Sequence, residues 1–218
     1  MTIREGLSQS PPRAVLDAVH GFYAVLDRDD ESLARALLTG GARILQVRLK
    51  ARDRRVGAGE ILRVARMARR VCDEHGAKLV VNDRFDLALL AKADGVHLGQ
   101  SDLPVARVRE LVGDRLFLGV STHDADQVRA ALSAKPDYIA YGPVFETATK
   151  QNPDPVQGLE ALQRAVELVG STPIVAIGGI TREQVAAVYA TGVSSICAIS
   201  AVNTALDVGA AARAFGRD

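Results

Sequence analysis

Residues 78–102 read KLVVNDRFDLALLAKADGVHLGQSD, and the pattern within them is a strand, a helix and a second strand. Leu79–Val81 is a short apolar run of the kind a buried strand shows, and it stops abruptly at Asn82, Asp83 and Arg84. Phe85, Leu87, Ala88 and Leu90 then give one side of a helix, and a second buried run, 95–98, stops at Gly99, Gln100, Ser101 and Asp102. Two parallel strands joined by a crossover helix have their carboxyl ends side by side. Asp83 and Asp102 are therefore expected to meet although 19 positions separate them.

The same cycle recurs along the chain. Strands are expected at about 22–26, 43–48, 78–81, 94–98, 116–120, 137–141, 173–177 and 193–198. After the first strand, Asp29, Asp30 and Glu31 open a helix carrying Leu33, Ala36, Leu37 and Leu38 to a stop at Gly40-Gly41. Later helices are expected near 57–74, 84–91, 104–112, 124–133, 157–169, 181–190 and 207–215. Eight strand–helix units with near-continuous apolar strands point to a single closed (β/α)₈ TIM barrel over residues 21–218. At 218 residues the chain leaves little room for an inserted domain, since such barrels run to about 250. An open doubly wound sheet is the competing architecture, but no turn here has the G-x-G-x-x-G form after a first strand. Residues 1–20 read as a polar leader through Pro11-Pro12 and a short N-terminal helix from Arg13 to Val19.

Composition excludes several functions. A net charge of +1 with five Phe, four Tyr and no Trp gives nucleic acid neither an attractive field nor stacking surfaces. No apolar run reaches the ~18 residues of a membrane span, and the amino terminus lacks a signal-peptide core. Cys72 and Cys197 fall where small buried residues are wanted, which implies reduced thiols and a cytoplasmic protein.

In a barrel of this kind the chemistry sits where the strands end. In strand two, Leu45, Val47 and Leu49 face one way and Gln46, Arg48 and Lys50 the other. A parallel barrel strand has no solvated face, so the polar set must line the mouth, where Arg48 and Lys50 form an anion site. Beside them, Asp83 and Asp102 suit a Mg²⁺ ion shared with substrate phosphate oxygens. A salt bridge to Arg84, or helix capping by either aspartate, would explain the same carboxylates. His97, inside an apolar strand, reads as a hydrogen-bonded core histidine rather than a metal ligand.

Strand five ends in Gly119-Val120-Ser121-Thr122-His123 before Asp124; no carboxylate stands in triad order, and these groups can equally cap the helix. Strand six runs into Gly142-Pro143-Val144-Phe145-Glu146-Thr147-Ala148-Thr149-Lys150 and a polar linker to Pro155, whose hydroxyls and lysine favour a lid closing over an anion. Strand seven ends in Gly178-Gly179 and strand eight in Ser200, adjacent segments where bare glycine amides serve either a phosphate or a tight turn.

Taken in order, these motifs resemble the thiamine phosphate synthase family over about Tyr23 to Val202. The matching segments are Gln46-Val47-Arg48-Leu49-Lys50, Asn82-Asp83-Arg84, His97 to Asp102, 119–123, 142–150 and 177–180. The resemblance implies condensation of hydroxymethylpyrimidine diphosphate with hydroxyethylthiazole phosphate to thiamine phosphate and pyrophosphate, with Mg²⁺ as cofactor. By matching positions, Asp83 and Asp102 would ligate Mg²⁺. Gln46, Arg48, Lys50, Asn82 and Lys150 would hold the diphosphate, with Ser121 against the diphosphate or pyrimidine. Thr147, Thr149, Gly179 and Ser200 would hold the thiazole phosphate. Arg48, Ser121 and Lys150 would be the catalytic residues. The family's first strand ends in T-D where this chain has Leu26-Asp27, which leaves that strand end without an assigned role. A thiazole tautomerase using His123, and a non-catalytic phosphate-binding barrel, are the competing functions; a homo-oligomer stays open.

Overall fold

The computed structural model describes residues 17–49, 56–147 and 154–217. Eight parallel strands close in sequence order: β1 (Gly21–Leu26), β2 (Ile44–Val47), β3 (Lys78–Asn82), β4 (Gly95–Leu98), β5 (Phe117–Thr122), β6 (Tyr138–Tyr141), β7 (Ile174–Ile177) and β8 (Ser195–Cys197). The expected TIM barrel is thus the observed fold, and β8 pairs back onto β1 through Gly21–Ser195, Phe22–Ile196 and Tyr23–Cys197. The helices among the described residues are α1 (Glu31–Thr39), α2 (Ala58–His75), α3 (Phe85–Leu90), α4 (Val105–Val112), α5 (Ala125–Ser133), α6 (Gly158–Val169), α7 (Val185–Ala190), α8 (Ser200–Asn203) and α9 (Val208–Ala214). None of them is long and apolar enough to cross a membrane.

Local chemistry accounts for the helix ends. Asp30 caps α1 by accepting the Leu33 amide at 2.9 Å, and Asp124 caps α5 through the Gln127 amide at 2.8 Å. The helix expected from Thr181 begins instead as a 3₁₀ turn, Arg182–Gln184, held by a reciprocal Thr181–Gln184 capping box before α7. The four-residue α8 was not expected from the apolar pattern; at that length there is no periodicity to detect. Most of the short N-terminal helix, and all of residues 1–16, lie outside the described residues; Asp17 and Ala18 are helical.

Strand alternation divides the core in two. Phe22, Leu45, Val47, Leu79, Val81, Leu118 and Ile139 point outward under the helices, while Tyr23, Val25, Ile44, Val80, Phe117, Tyr138, Val175 and Cys197 fill the barrel. Ala18 and Val19 join the inner cluster, so the end of the leader plugs the barrel floor. Both cysteines are buried and unbridged, and burial pushes each thiol up to about 12.

The amino-terminal rim is clasped by a repeated device. Asp94, Asp137 and Ser194 each stand just before an even-numbered strand. Each accepts, with its side chain, the amide of the preceding strand's Leu79, Leu118 or Ile174, and returns its own amide to that residue's carbonyl. Arg69 and Lys78 pair with Asp94, at 2.6 and 3.0 Å, and Arg109 with Asp137 at 2.5 Å. Burial alone would push the Asp94 carboxyl up, but the Leu79 amide, Arg69 and Lys78 outweigh it and hold the carboxyl below its ordinary value.

A folded value below the unfolded one means that the stability Asp94 contributes is present above the unfolded value of about 3.9 and lost as pH falls through the folded value. Asp94→Asn should therefore be less stable than wild type near neutrality and lose less on acidification. Urea titrations between about pH 7 and pH 3 check this; parallel acid limbs in the two proteins would refute it.

Candidate active site

The carboxyl ends of the strands open on a cavity of about 400 Å³, within the range of small-molecule sites. Gln46, Arg48, Asn82, Asp83, Asp102, Ser121, Thr147, Gly179 and Ser200 all line it, so every expected site residue that is described is brought to one mouth. Lys50, Thr149 and Lys150, with the middle of the expected lid, lie outside the described residues.

On the β2–β4 side, Gln46 shares the inner face of β2 with Ile44 and is 5% exposed. Its Nε2 donates to Asn82 Oδ1 at 2.7 Å, which leaves the Asn82 amide nitrogen as that side chain's donating end. Asp83 sits at a positive φ of 62°, and its amide donates to the His97 carbonyl at 2.8 Å, so the first residue past β3 is tied to β4. Asp102 Oδ2 accepts the Gly99 amide at 2.7 Å and folds the turn after β4 back toward the mouth. The alternative uses of these carboxylates are not realised. Arg84 pairs with Asp86 at 2.5 Å, and neither α3 nor α4 has a side-chain cap. Among the described residues no group of three His, Cys, Asp or Glu stands close enough to hold a metal ion by itself.

The β5–β6 side is held by β5. His97 is a buried hydrogen-bonded histidine, as its apolar strand suggested: Nδ1 meets Tyr138 Oη and Nε2 meets Ser121 Oγ, each at 2.8 Å. Gln100 donates to the Ser121 carbonyl at 2.5 Å. His123 donates from Nδ1 to the Gly142 carbonyl at 2.5 Å, and its Nε2 lies 3.4 Å from Asp154. Both its nitrogens thus serve the segment after β6. Asp27, at the departing strand end, pairs with Arg28 at 3.1 Å and does not line the cavity.

Opposite lie Gly178, Gly179, Ser200 and Ala201. Gly179 has φ +65°, and a Cβ there would collide with the Glu146 carbonyl and the Phe145 backbone. Gly178 has φ +102°, its carbonyl accepts the Phe145 amide at 2.9 Å, and Val144 donates to Ile177 at 3.0 Å. The double glycine is therefore both a turn and the bed for the start of the segment after β6. Gln100, expected at the end of strand four, lines the cavity as well, whereas sequence reasoning missed Tyr138, Gln127 and Asp154. Only the inward period of β6 marked Tyr138, and nothing local marked the others.

The model of one protein family, described as thiamine monophosphate synthase, matches residues 21–202. A thiamine-phosphate synthase of Pelotomaculum thermopropionicum is 42% identical over 99% of this chain and 96% of that protein. One from Salmonella newport is 44% identical over 86% of each. Among solved structures, a thiamine phosphate pyrophosphorylase from Pyrococcus furiosus superposes with a TM-score of 0.82 at 32% identity, covering 92% of this chain and 95% of that one. A 3-hexulose-6-phosphate synthase, at 16% identity and a TM-score of 0.64, shares the fold alone.

Gly158 also has a positive φ, 75°, but a Cβ there would meet nothing. Gly179→Ala should cost roughly 1–3 kcal/mol and clearly more than Gly158→Ala, the excess being the clash with the segment after β6. Urea unfolding of the two variants measures the difference; equal losses would show that the close approach carries no energy. With the site and its relatives in view, the chain belongs to the thiamine monophosphate synthase family.

Proposed function

We propose that this chain joins hydroxymethylpyrimidine diphosphate to hydroxyethylthiazole phosphate, forming thiamine phosphate and releasing pyrophosphate. One observation carries the reading: Arg48, Asp83 and Asp102 share a single cavity with Gly178, Gly179 and Ser200 from the other side of the barrel. A substrate pair with an anion at each outer end fits that division. In this reading Arg48, Lys50, Asn82 and Lys150 hold the diphosphate, with Gln46 fixing the Asn82 amide. Thr147, Thr149, Gly179 and Ser200 hold the thiazole phosphate.

Asp83 and Asp102 fit Mg²⁺ by chemistry. Both are half-buried, hard oxygen donors on one cavity. Two carboxylates completed by phosphate oxygens and water are the usual Mg²⁺ set, so the lack of a third protein ligand among the described residues is compatible with it. When bound, the ion would neutralise charge on the departing pyrophosphate.

The chemistry asks the protein for position and charge. The bond between the pyrimidine methylene carbon and the diphosphate oxygen breaks, its electron pair leaving with pyrophosphate. The thiazole nitrogen then gives its lone pair to that carbon. No proton moves, so no general base is required, and donors such as Arg48 and Ser121 act by stabilising the leaving oxygens. The engagement of both His123 nitrogens by the segment after β6 gives that histidine an anchoring part here, in contrast to proton shuttling in a tautomerase.

Purified chain given both substrates and Mg²⁺ should release pyrophosphate and form thiamine phosphate one for one, and chelation should abolish both. Asp83→Asn and Asp102→Asn should each lower turnover by roughly 10²–10³-fold while melting within a few degrees of wild type: asparagine tolerates the positive φ at position 83, and at position 102 its amide oxygen can still accept the Gly99 hydrogen bond. Near-normal turnover in both variants would remove the metal assignment. Failure of the wild type to couple the two substrates would remove the function.

A further inference from the structure

Beneath Ser121 a line of hydrogen bonds runs into the barrel. Tyr23 Oη lies 2.8 Å from Tyr138 Oη, Tyr138 Oη lies 2.8 Å from His97 Nδ1, and His97 Nε2 lies 2.8 Å from Ser121 Oγ. The two tyrosines and His97 are all buried. The arrangement depends on one register row, in which Asn82, His97, Gly119 and Tyr138 stand level across β3 to β6. A Cβ at Gly119 would collide with the Tyr138 ring, so the glycine is what lets the phenol cross to the imidazole.

The direction of these bonds follows from counting protons. Burial, first of all, pushes both phenols above their ordinary value, so each keeps its proton. Tyr23 is packed among Val25, Ile44, Val80, Phe117 and Cys197, and among the described residues its hydroxyl bonds to Tyr138 alone. A buried donor without an acceptor is costly, so the Tyr23 proton must be given to the Tyr138 oxygen. Tyr138 has one proton of its own, and it is then directed at His97 Nδ1. That nitrogen must be the unprotonated one. The ring's proton resides on Nε2 and is donated to Ser121 Oγ, which leaves the Ser121 proton for an acceptor in the cavity.

We propose that Tyr23, Tyr138 and His97 are positioning residues forming a one-way hydrogen-bond chain that fixes Ser121 as a donor to an anionic oxygen in the cavity. The same polarity bars Ser121 from acting as a nucleophile activated by His97, since the nitrogen facing it already carries a proton. The effect on turnover rests on the synthase reading above, in which that oxygen belongs to the departing diphosphate; the tautomer does not.

The test has two arms. Nitrogen-15 resonances of the imidazole rings in the full chain, with His97 assigned by its loss in His97→Asn, should show Nδ1 unprotonated and Nε2 protonated at neutral pH. The reverse tautomer or a doubly protonated ring overturns the chain whether or not the enzyme reaction is found. In the second arm, Tyr138→Phe should release the tautomer and lower kcat roughly ten- to hundredfold with the KM values nearly unchanged, the worth of one hydrogen bond to a charged acceptor. Tyr23→Phe should cost less, because Tyr138 can still donate. The double Phe variant leaves no orphan phenol and should match Tyr138→Phe in turnover. A Tyr138→Phe protein with wild-type kcat and unshifted His97 resonances sinks the proposal.

Discussion

A parallel strand closed into a barrel has no side that faces water, and every polar atom on its inner surface must be hydrogen-bonded to a neighbour or lifted to the rim. In this chain the constraint sorts residues by height. Ile44, Val80, Phe117 and Val175, with Ala18 and Val19 beneath them, make a dry floor. Above it comes a row of neutral polar groups, Asn82, His97 and Tyr138, each bonded to another side chain. Arg48, Asp83 and Asp102 line the mouth above, half-buried, where solvent and bound anions can balance charge. The order from apolar to neutral polar to charged follows the rising cost of burying each kind of group.

The two rims use the same residue type for opposite ends. Asp94 and Asp137, ahead of β4 and β6, spend their carboxylates on strand amides and on cations already paired with them, and Ser194 repeats the clasp ahead of β8. These contacts hold adjacent strands in register, and a carboxylate so satisfied has little left to offer a ligand. Asp102, past the end of β4, uses one oxygen for the Gly99 amide and lines the cavity. Position along the strand, more than residue identity, separates carboxylates that clasp the strands from those that line the cavity.

What could be read from the sequence follows the same division. The convergence of Asp83 and Asp102 was legible because a strand–helix–strand unit fixes which ends meet, and the inward face of Gln46 was legible because strand alternation is strict. The fate of Arg84 was not, since choosing Asp86 over Asp83 depends on the backbone turning through a positive φ at Asp83. Nor was the pairing of His97 with Tyr138, 41 positions apart: it requires the lateral register of three strands and the empty place left by Gly119. Turn type at Thr181 and the four-residue α8 escaped because they are set by caps and local contacts shorter than any helical period.

The polarity of the buried chain bears on why Ser121, though it meets a histidine, is not an activated nucleophile. An activated serine needs its histidine partner to accept a proton, and therefore a carboxylate or carbonyl beneath the ring to hold the other nitrogen protonated. Here the group beneath the ring is a phenol that must itself donate, which inverts the triad: His97 receives a hydrogen bond at Nδ1 and passes one on at Nε2. Such a ring orients Ser121 without taking its proton. That suits a reaction whose difficulty is the departure of a dianion-bearing group, where each fixed donor strengthens as negative charge accumulates on the leaving oxygen and a base would have nothing to remove.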